Sequence, residues 1–247
     1  HGLHQKKINN LNIKAGIFTN FSQDHLDYHK SMFSYLKAKL FLFNSILSKN
    51  KTVITDKSLK EYSLLKNICK KKKLRLIDIS STQEKIKKKR NLKLNEFQIK
   101  NLAMAILAAK LCKLTERKIF RTLNKIKNVN GRLELVKILP GKRKVYVDFA
   151  HTPDALEKSL KALLKDNSKN ISLVFGCGGD RDYEKRPLMG QIAQKYCKNF
   201  FVTDDNPRSE NPNKIRKEII GKIKSNNCFN VGNRAKAIKE AILKSDP

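Results

Sequence analysis

Short apolar runs alternate with amphipathic stretches through the second half of the chain. Runs at 145–147, 171–175 and 200–202 precede helical patterns at 154–164, 187–196 and 212–223, and a last helix is predicted at 234–243. Repeated strand–helix units predict a mostly parallel sheet with helices packed on its faces. Ligands bind such sheets beyond the carboxyl ends of the strands. We therefore expect functional side chains in the three loops that follow the runs, all at one edge of the sheet.

The first half also follows an α/β pattern. It predicts strands at 13–18, 53–55 and 74–79 and helices at 59–71 and 96–114. A chain of 247 residues is long enough for two domains with their own cores. The regular alternation of strand and helix begins near Gly131-Arg132-Leu133-Glu134, so we predict domains at 1–130 and 131–247.

One further helix carries a candidate functional lysine. Phe33, Leu36, Leu40 and Phe43 recur at spacings of three and four, which predicts an apolar stripe facing a core. Lys39 lies at the edge of that stripe, and burial disfavours its ammonium form. A neutral amine can take up CO2 and become a carbamate with two oxygens for a hard cation. Spacing alone favours the alternative, a lysine that covers apolar surface and keeps its charge in water.

The composition is strongly basic, with 54 Lys and Arg against 22 Asp and Glu, a formal charge of +32. Such a charge is typical of nucleic-acid binders. Only 11 of the basic residues are arginines, however, and arginine is the residue that contacts phosphates and base edges bidentately. Exposed aromatic pairs for base stacking are also lacking. We expect no specific nucleic-acid partner.

The five cysteines contain no C-x-x-C pair, which is typical of a reducing cytosol and predicts neither a disulfide framework nor a zinc site. No apolar run approaches the roughly 20 residues of a membrane span, so no membrane insertion is expected. We predict a cytoplasmic monomer.

The glycines at 176, 178 and 179 suggest a dinucleotide fingerprint at first sight. That motif, G-x-G-x-x-G, requires glycine where Arg181 stands, so the pattern excludes it. The sequence likewise contains no G-x-x-x-x-G-K-[ST] phosphate loop.

Several motifs together resemble the Mur ligases. They are TNFSQDHLDYH (19–29) with SYLKAKLF (34–41), VDFAHTPDALEKSL (147–160), VFGCGGDRDYEKRPLMG (174–190) and TDDNPR (203–208). The match is closest to the UDP-N-acetylmuramoyl-tripeptide synthetases, which add the third residue of the peptidoglycan stem peptide. The resemblance implies part of a central ATPase-type α/β domain followed by a Rossmann-like C-terminal α/β domain.

The resemblance also implies roles for residues of the first half. In the family, the lysine matching Lys39 is carbamylated and the histidine matching His25 is a Mg²⁺ ligand. The residues matching Gln5 and Lys7 contact the UDP-muramoyl substrate. The family usually has arginine where Lys7 stands, and lysine keeps the charge but lacks the planar guanidinium group. The asparagine matching Asn101 lies near the adenine of ATP.

In the second half, the resemblance assigns Arg132 to the nucleotide phosphates and Asp148 and His151 to the nucleotide. It assigns Arg181 and the tetrad Asp205, Asn206, Pro207 and Arg208 to the incoming amino acid. The form D-N-P-R is associated with meso-diaminopimelate, and a guanidinium suits the carboxylate that distinguishes diaminopimelate from lysine.

The implied reaction is ATP-dependent amide-bond formation between UDP-N-acetylmuramoyl-L-alanyl-D-glutamate and meso-diaminopimelate through an acyl phosphate, with Mg²⁺. The family's uridine-binding domain, phosphate loop and final G-K-G-H-E segment have no counterpart in the sequence. We therefore expect a fragment that is inactive alone. The open alternatives are a lysine-adding homologue and a folylpolyglutamate or cyanophycin synthetase, against which D-N-P-R argues. A basic nucleic-acid-binding module is the alternative from another class.

Overall fold

A computed structural model of the chain describes residues 2–8, 11–89, 92, 94–126, 129–164 and 170–246. The chain forms two compact units, one of residues 1–22 and 31–127 and the other of residues 23–30 and 128–247. Segment 23–30, which the sequence assigned to the first domain, therefore packs with the second unit. The domain boundary between 130 and 131 stays a prediction.

The first unit is built on a parallel sheet of three strands in the order β1 (Ala15–Phe18), β2 (Thr52–Thr55) and β3 (Arg75–Asp78). Every residue of the central strand β2 is buried. The hydroxyl of Thr55 donates to the carbonyl of Phe18 at 3.0 Å, which links two neighbouring strand ends. The three strands predicted for this half are confirmed.

Five α-helices accompany this sheet in the described residues of the first unit. They are α2 (Met32–Phe41), α3 (Tyr62–Lys72), α4 (Ser80–Lys87), α5 (Glu96–Leu111) and α6 (Glu116–Thr122), while the short α1 (Leu26–His29) belongs to the second unit. Helix α2 continues into a π-helical turn at Leu42–Ile46. The sequence did not predict α4 and α6. Asn95 and Gln98 form a capping box at the start of α5, each side chain accepting from the other's backbone N–H.

The predicted apolar stripe on α2 is wrong at its first position. Leu40 and Phe43 are buried as expected, but Phe33 is 77% exposed. Phe33 lies in the first turn of α2, where the cap Ser31 and its partner Ser34 are also exposed. That end of the helix faces solvent, and Tyr35 of the next turn is buried instead.

The second unit is built on another parallel sheet, in the order β6 (Ser172–Phe175), β7 (Asn199–Val202) and β8 (Cys228–Asn230). The apolar run at 145–147 was predicted to be its first strand. Instead, β5 (Lys144–Val147) pairs antiparallel with β4 (Glu134–Ile138). The turn between them contains Gly141 and Lys142 at φ 73° and 60°, the left-handed geometry of a tight hairpin. The sequence also missed β8.

Helices cover both faces of this sheet. They are α7 (Pro153–Leu163), α8 (Lys185–Tyr196), α9 (Pro212–Ile220) and α10 (Arg234–Leu243). Successive side chains of strand β7 point to opposite faces of the sheet, and both faces are apolar. Phe200 and Val202 join the core under α7, α8 and α9, whereas Phe201 packs with α10. Among the described residues, no helix combines the length and apolar character needed to cross a membrane.

Proline and cap residues set the starts of these helices. Thr152 and Asn211 cap α7 and α9 by accepting backbone N–H groups, and each is followed by proline at the first helical position. Helix α10 starts after the cap Asn233 and has the bounds that the sequence predicted. Helix α8 begins two residues earlier than predicted, and α9 ends three residues earlier.

The packing of α8 on α9 depends on Gly190. A Cβ there would lie 2.2 Å from the carbonyl oxygen of Ile219 and 3.0 Å from the side chain of Ile223. Gly190→Ala should therefore destabilise the protein by about 1–3 kcal/mol, the usual cost of overpacking, despite the better helix propensity of alanine. Urea unfolding measures this loss. Gly2→Ala is the control, because no atom lies within 4 Å of its added Cβ.

Candidate functional site

Two loops meet beyond the carboxyl ends of β6 and β7. We call residues 176–182 the glycine loop and residues 203–210 the arginine loop. The N–H of Gly179 donates to the carbonyl of Asn206 at 2.9 Å. A Cβ at Gly179 would lie 1.9 Å from the carbonyl oxygen of Pro207, and one at Gly176 would lie 2.3 Å from that of Thr203. The glycines are thus required by the close approach of two backbones.

A buried arginine fastens these loops to two helices. Arg186 of α8 is 1% exposed, and its guanidinium donates to both carboxylate oxygens of Glu210 at 2.9 and 2.7 Å and to Glu218 of α9 at 2.6 Å. Glu210 also accepts the N–H of Asp180 from the glycine loop. The Arg186 guanidinium lowers the pKa of Glu210 to about 2.

Sequence reasoning did not single out Arg186 or Glu210. A signal was present, because Arg186 shares the buried face of α8 with Met189, Gly190 and Ala193 at helical spacing. An arginine at a core-facing position requires an anionic partner. The partner itself lies 24 residues away, and only the folded chain shows which carboxylate it is.

Residues 205–208, which the sequence predicted to bind the incoming amino acid, lie in the middle of the arginine loop. Arg208 has a left-handed backbone at φ 50°, and its guanidinium donates to the carbonyl of Gly179 at 2.5 Å. A Cβ at Gly178 would lie 2.9 Å from that guanidinium. The carboxylate of Asp205 lies 3.8 Å from Arg234. Arg208 is therefore held across the glycine loop.

Arg181 lies at the other end of the glycine loop. Its guanidinium lies 3.9 Å from the carboxylate of Asp27 in segment 23–30, and both side chains are partly exposed. Among the described residues, neither a hydrogen bond nor an ion pair joins Arg181 to the arginine loop. The two predicted arginines are therefore brought to one edge of the sheet without direct contact.

Segment 23–30 packs against the same edge. Gln23 donates to the carboxylate of Asp182 at 3.1 Å. One carboxylate oxygen of Asp24 lies 3.4 Å from the ring Nε2 of His25 and 3.7 Å from that of His151. The other accepts the backbone N–H of His25 at 2.9 Å.

These contacts shift two pKa values. The nearby carboxylate of Asp24 raises the pKa of His151 above its usual 6.5, against the opposing effect of burial. Burial raises the pKa of Asp24, but the neighbouring imidazoles of His151 and His25 outweigh this effect, so the pKa of Asp24 lies below its usual 3.8. Each group therefore favours the charged form of the other.

The predicted nucleotide residues of the second unit also lie together. The guanidinium of Arg132 lies 4.7 Å from the ring centre of Phe149, whose ring lies edge-on to His151 at 5.6 Å. The carboxylate of Asp148 accepts the N–H of Leu133 at 3.0 Å and the hydroxyl of Ser159. Asp148 thus ties the start of the β4–β5 hairpin to α7.

In the first unit, Lys39 occupies the surroundings of an ammonium ion. Its Nζ donates to the carbonyl of Asn20 at 3.0 Å and lies 5.7 and 5.0 Å from the ring centres of Phe18 and Tyr35. The expected apolar neighbours are therefore aromatic rings that favour a cation. Carbamylation of Lys39 stays a prediction.

The other first-unit predictions fall on exposed positions. Gln5 and Lys7 lie in an exposed turn at residues 2–8, and Asn101 lies on the exposed side of α5. Gln98 is used in the capping box of that helix. In the described part of the chain, no hydrogen bond or ion pair joins Gln5, Lys7 and Asn101 to one another.

The described residues contain no group of three or more His, Cys, Asp or Glu side chains arranged to hold a metal ion. A Mg²⁺ ion prefers oxygen ligands and keeps several waters. An ammonium has no lone pair for a metal, so Lys39 could serve as a ligand only as a carbamate. A single imidazole such as that of His25 would hold Mg²⁺ only together with oxygen ligands from elsewhere, including water or substrate.

Comparison with protein families decides the class. Residues 1–122 match the Mur ligase middle domain, and residues 131–247 match the Mur ligase glutamate ligase domain. The chain belongs to the Mur ligase family. The family resemblance drawn from the motifs is confirmed.

Relatives of this Mur ligase chain point to one type within the family. The chain is 37% identical over 272 residues to the UDP-N-acetylmuramoyl-L-alanyl-D-glutamate–2,6-diaminopimelate ligase of Rickettsia bellii, covering 100% of the chain and 56% of the relative. It is 37% identical over 279 residues to the enzyme of the same name from Wigglesworthia glossinidia brevipalpis, covering 54% of it. The chain thus spans about half the length of these curated relatives.

Solved structures agree on the fold. A UDP-N-acetylmuramoyl-L-alanyl-D-glutamate–2,6-diaminopimelate ligase matches 100% of the chain and 55% of its own length, with a TM-score of 0.52 and 26% identity. A Mycobacterium tuberculosis folylpolyglutamate synthase matches 95% of the chain and 58% of its own, with a TM-score of 0.72 but 16% identity. The second likeness shows the fold alone. The predicted α/β class with parallel sheets is confirmed.

The Asp24–His151 pair should make stability depend on pH. A raised histidine pKa adds stability that is present below 6.5 and lost as the pH rises through the folded pKa, while the lowered pKa of Asp24 adds stability that is lost as the pH falls below 3.8. The urea midpoint of the wild type should therefore fall more between about pH 6 and about pH 9 than that of His151→Gln. His4→Gln, outside this pair, should keep the wild-type pH profile. Parallel profiles for wild type and His151→Gln would contradict the coupling.

Proposed function

We propose that the protein containing these residues is a cytoplasmic ATP-dependent ligase that adds meso-diaminopimelate to UDP-N-acetylmuramoyl-L-alanyl-D-glutamate during peptidoglycan precursor synthesis. The names of the relatives support this substrate pair. The observation that carries the proposal is the arginine loop, whose residues 205–208 are fixed against the glycine loop at the strand ends. We infer that the protein acts as a monomer.

The rigidity of the arginine loop supports recognition of a second carboxylate. The Arg208 guanidinium is already oriented by its hydrogen bond to Gly179, and Arg186 holds the loop through Glu210. Apart from that one bond, the guanidinium of Arg208 donates to no other described residue. Its free N–H groups suit a carboxylate, which arginine binds with two parallel hydrogen bonds. Meso-diaminopimelate carries a carboxylate that lysine lacks.

The proposed reaction has two steps. The D-glutamyl γ-carboxylate attacks the γ-phosphorus of ATP, forming an acyl phosphate and releasing ADP. The amine of diaminopimelate then attacks the acyl carbon, loses a proton, and phosphate leaves as the amide forms. Such a reaction depends on position and charge neutralisation more than on covalent help from the protein.

Residues of this chain would supply both the positioning of the reacting groups and the positive charge. Arg132, stacked on Phe149, presents a guanidinium for phosphate oxygens beside His151. Arg181 and Arg208 would orient the diaminopimelate so that its amine meets the acyl carbon. His25 and a carbamate of Lys39 would hold Mg²⁺, which when bound supplies positive charge to the phosphate oxygens.

The alternatives have less support. The likeness to folylpolyglutamate synthase extends to the fold alone. A lysine-adding enzyme would have no use for a fixed guanidinium at Arg208. Nucleic-acid binding rests on net charge alone, and near the ends of strands β6 and β7 the carboxylates of Asp204 and Glu210 pair with arginines that would otherwise attract phosphates.

Replacement of Arg208 tests the proposed amino acid. Loss of a charge-assisted hydrogen bond costs about 1.5–3 kcal/mol, or about one to two orders of magnitude in rate. In the full-length enzyme, Arg208→Ala should lower kcat/KM for diaminopimelate by about that factor, leave the KM for ATP nearly unchanged, and narrow the preference over lysine. Arg121→Ala on α6 is the control with the same loss of charge. Equal use of lysine and diaminopimelate by the unmutated enzyme would contradict the proposal.

Replacement of Lys39 tests the carbamate. Lys39→Ala in the full-length enzyme should remove most activity, and acetate should restore part of it by supplying a carboxylate in place of the carbamate. The exposed neighbour provides the control Lys37→Ala, which should stay active. Supplying ¹³C-labelled bicarbonate should give a carbamate ¹³C signal in the wild type that Lys39→Ala lacks. Full activity of Lys39→Ala without acetate would overturn the carbamate.

A further inference from the structure

Glu210 of the arginine loop joins both loops of the candidate site to Arg186. Its two carboxylate oxygens accept from the Arg186 guanidinium at 2.7 and 2.9 Å, and one of them also accepts the backbone N–H of Asp180 at 2.6 Å. The same guanidinium donates to the carbonyl of Gly178 at 3.3 Å. One buried arginine therefore reaches the glycine loop in two ways, directly and through Glu210.

These contacts lie next to the two arginines that the sequence assigned to the incoming amino acid. Asp180 directly precedes Arg181, and Glu210 follows Arg208 by two residues. The backbone N–H of Glu210 donates to the carbonyl of Pro207 at 2.9 Å, which closes a turn around Arg208. The backbone that carries each of these arginines is thus fixed by the same network of bonds.

A second set of bonds joins the two loops beside these arginines. The carboxylate of Asp180 accepts the hydroxyl of Ser209 at 2.7 Å and the backbone N–H of Ser209 at 3.2 Å. Asp180 and Arg208 both have left-handed backbone geometry at φ 50°, which costs energy in a residue with a Cβ. Such geometry persists where the surrounding contacts determine it. The loops are therefore fixed, at some cost in energy, at the positions that carry Arg181 and Arg208.

Glu218 shows a useful contrast with Glu210. It accepts from the same guanidinium at 2.6 Å, but it belongs to α9 and bonds to neither loop in the described chain. Both carboxylates neutralise the charge of the buried Arg186, whereas only Glu210 connects that arginine to the loops. The stability of the fold and the position of the loops can therefore be separated by changing one carboxylate at a time.

The position of the loops matters because both arginines of the predicted amino-acid site are exposed. The Arg208 side chain bonds only to the backbone of the glycine loop, and Arg181 extends from that loop. Where the two guanidinium groups lie thus depends on how the two backbones are placed. A side chain that is fixed before binding loses less freedom when the ligand arrives, which increases affinity.

We propose that Arg186 and Glu210 are positioning residues for the incoming amino acid, which set the spacing between the guanidinium groups of Arg181 and Arg208. The inference rests on the proposed function, in which these two arginines orient diaminopimelate. Arg186 is 1% exposed and acts through Glu210, without contact with the ligand. Among the described residues, those assigned to the nucleotide form no bond with this pair. Its loss should therefore affect binding of the amino acid and not of ATP.

Glu210→Gln in the full-length enzyme tests this role, with Glu218→Gln as the matched control. Both changes keep the shape of the side chain and remove one carboxylate charge from Arg186. Glu210→Gln should raise the KM for diaminopimelate about tenfold, as expected when two side chains must be ordered on binding, with a smaller change in kcat and an unchanged KM for ATP. Glu218→Gln should keep the wild-type KM for diaminopimelate. Equal KM values in the two variants would overturn the proposal.

Ser209→Ala decides the case in which Glu210→Gln does not fold, as judged by its thermal midpoint. Ser209 is exposed, so loss of its hydroxyl removes a bond between the loops without changing the core. The KM for diaminopimelate should rise about two- to tenfold, the usual effect of one hydrogen bond. Ser63→Ala, the same change on the exposed side of α3, should have no effect. A wild-type KM in Ser209→Ala would then overturn the positioning role.

Nitrogen-15 relaxation of the arginine Nε–H groups separates this inference from the proposed function, because it requires no ligase activity. In the full-length protein, the side chain of Arg208 should be more mobile in Glu210→Gln than in the wild type or in Glu218→Gln. An inactive wild-type protein that shows this pattern would overturn the proposed function and leave the positioning of the arginines. An active wild type in which Arg208 is equally ordered in all three proteins would overturn the positioning role alone.

Discussion

The contact between the glycine loop and the arginine loop determines the geometry of the candidate site. The two backbones approach closely enough for Gly179 to donate to Asn206, which is possible only where no Cβ intervenes. Arg186 of α8 fixes this contact by pairing with Glu210 of the arginine loop and with Glu218 of α9. A buried ion pair contributes little net stability, but loss of one partner leaves an uncompensated charge. The pairing therefore specifies one arrangement of these loops and of the helices α8 and α9.

The distribution of charge explains how such a basic chain can build this site. The 22 acidic residues are far outnumbered, yet several carboxylates occur at the strand ends of the second unit. There they pair with buried arginines, as Asp204 does with Arg216, or with imidazoles, as Asp24 does with His151. Exposed lysines elsewhere need no partner, because water solvates them.

Much of the candidate site could be predicted from motifs because its parts are contiguous in sequence. Residues 205–208 form one loop, and Arg181 belongs to the glycine loop that meets it. The short β4–β5 hairpin brings the residues before β4 next to those after β5, and it thereby places Arg132 near Asp148 and His151. The prediction failed where a partner was distant in sequence. Arg186 and Glu210 are 24 residues apart, and neither position by itself indicates the other.

The sequence by itself determined most of the longer helices and most strands, because hydrophobic periodicity acts over a few neighbouring positions. It also determined the family, since the motifs are local. Only the tertiary structure decided that 145–147 pairs with β4, that Phe33 faces solvent, and that segment 23–30 packs with the second unit. Strand pairing and burial depend on which surfaces meet.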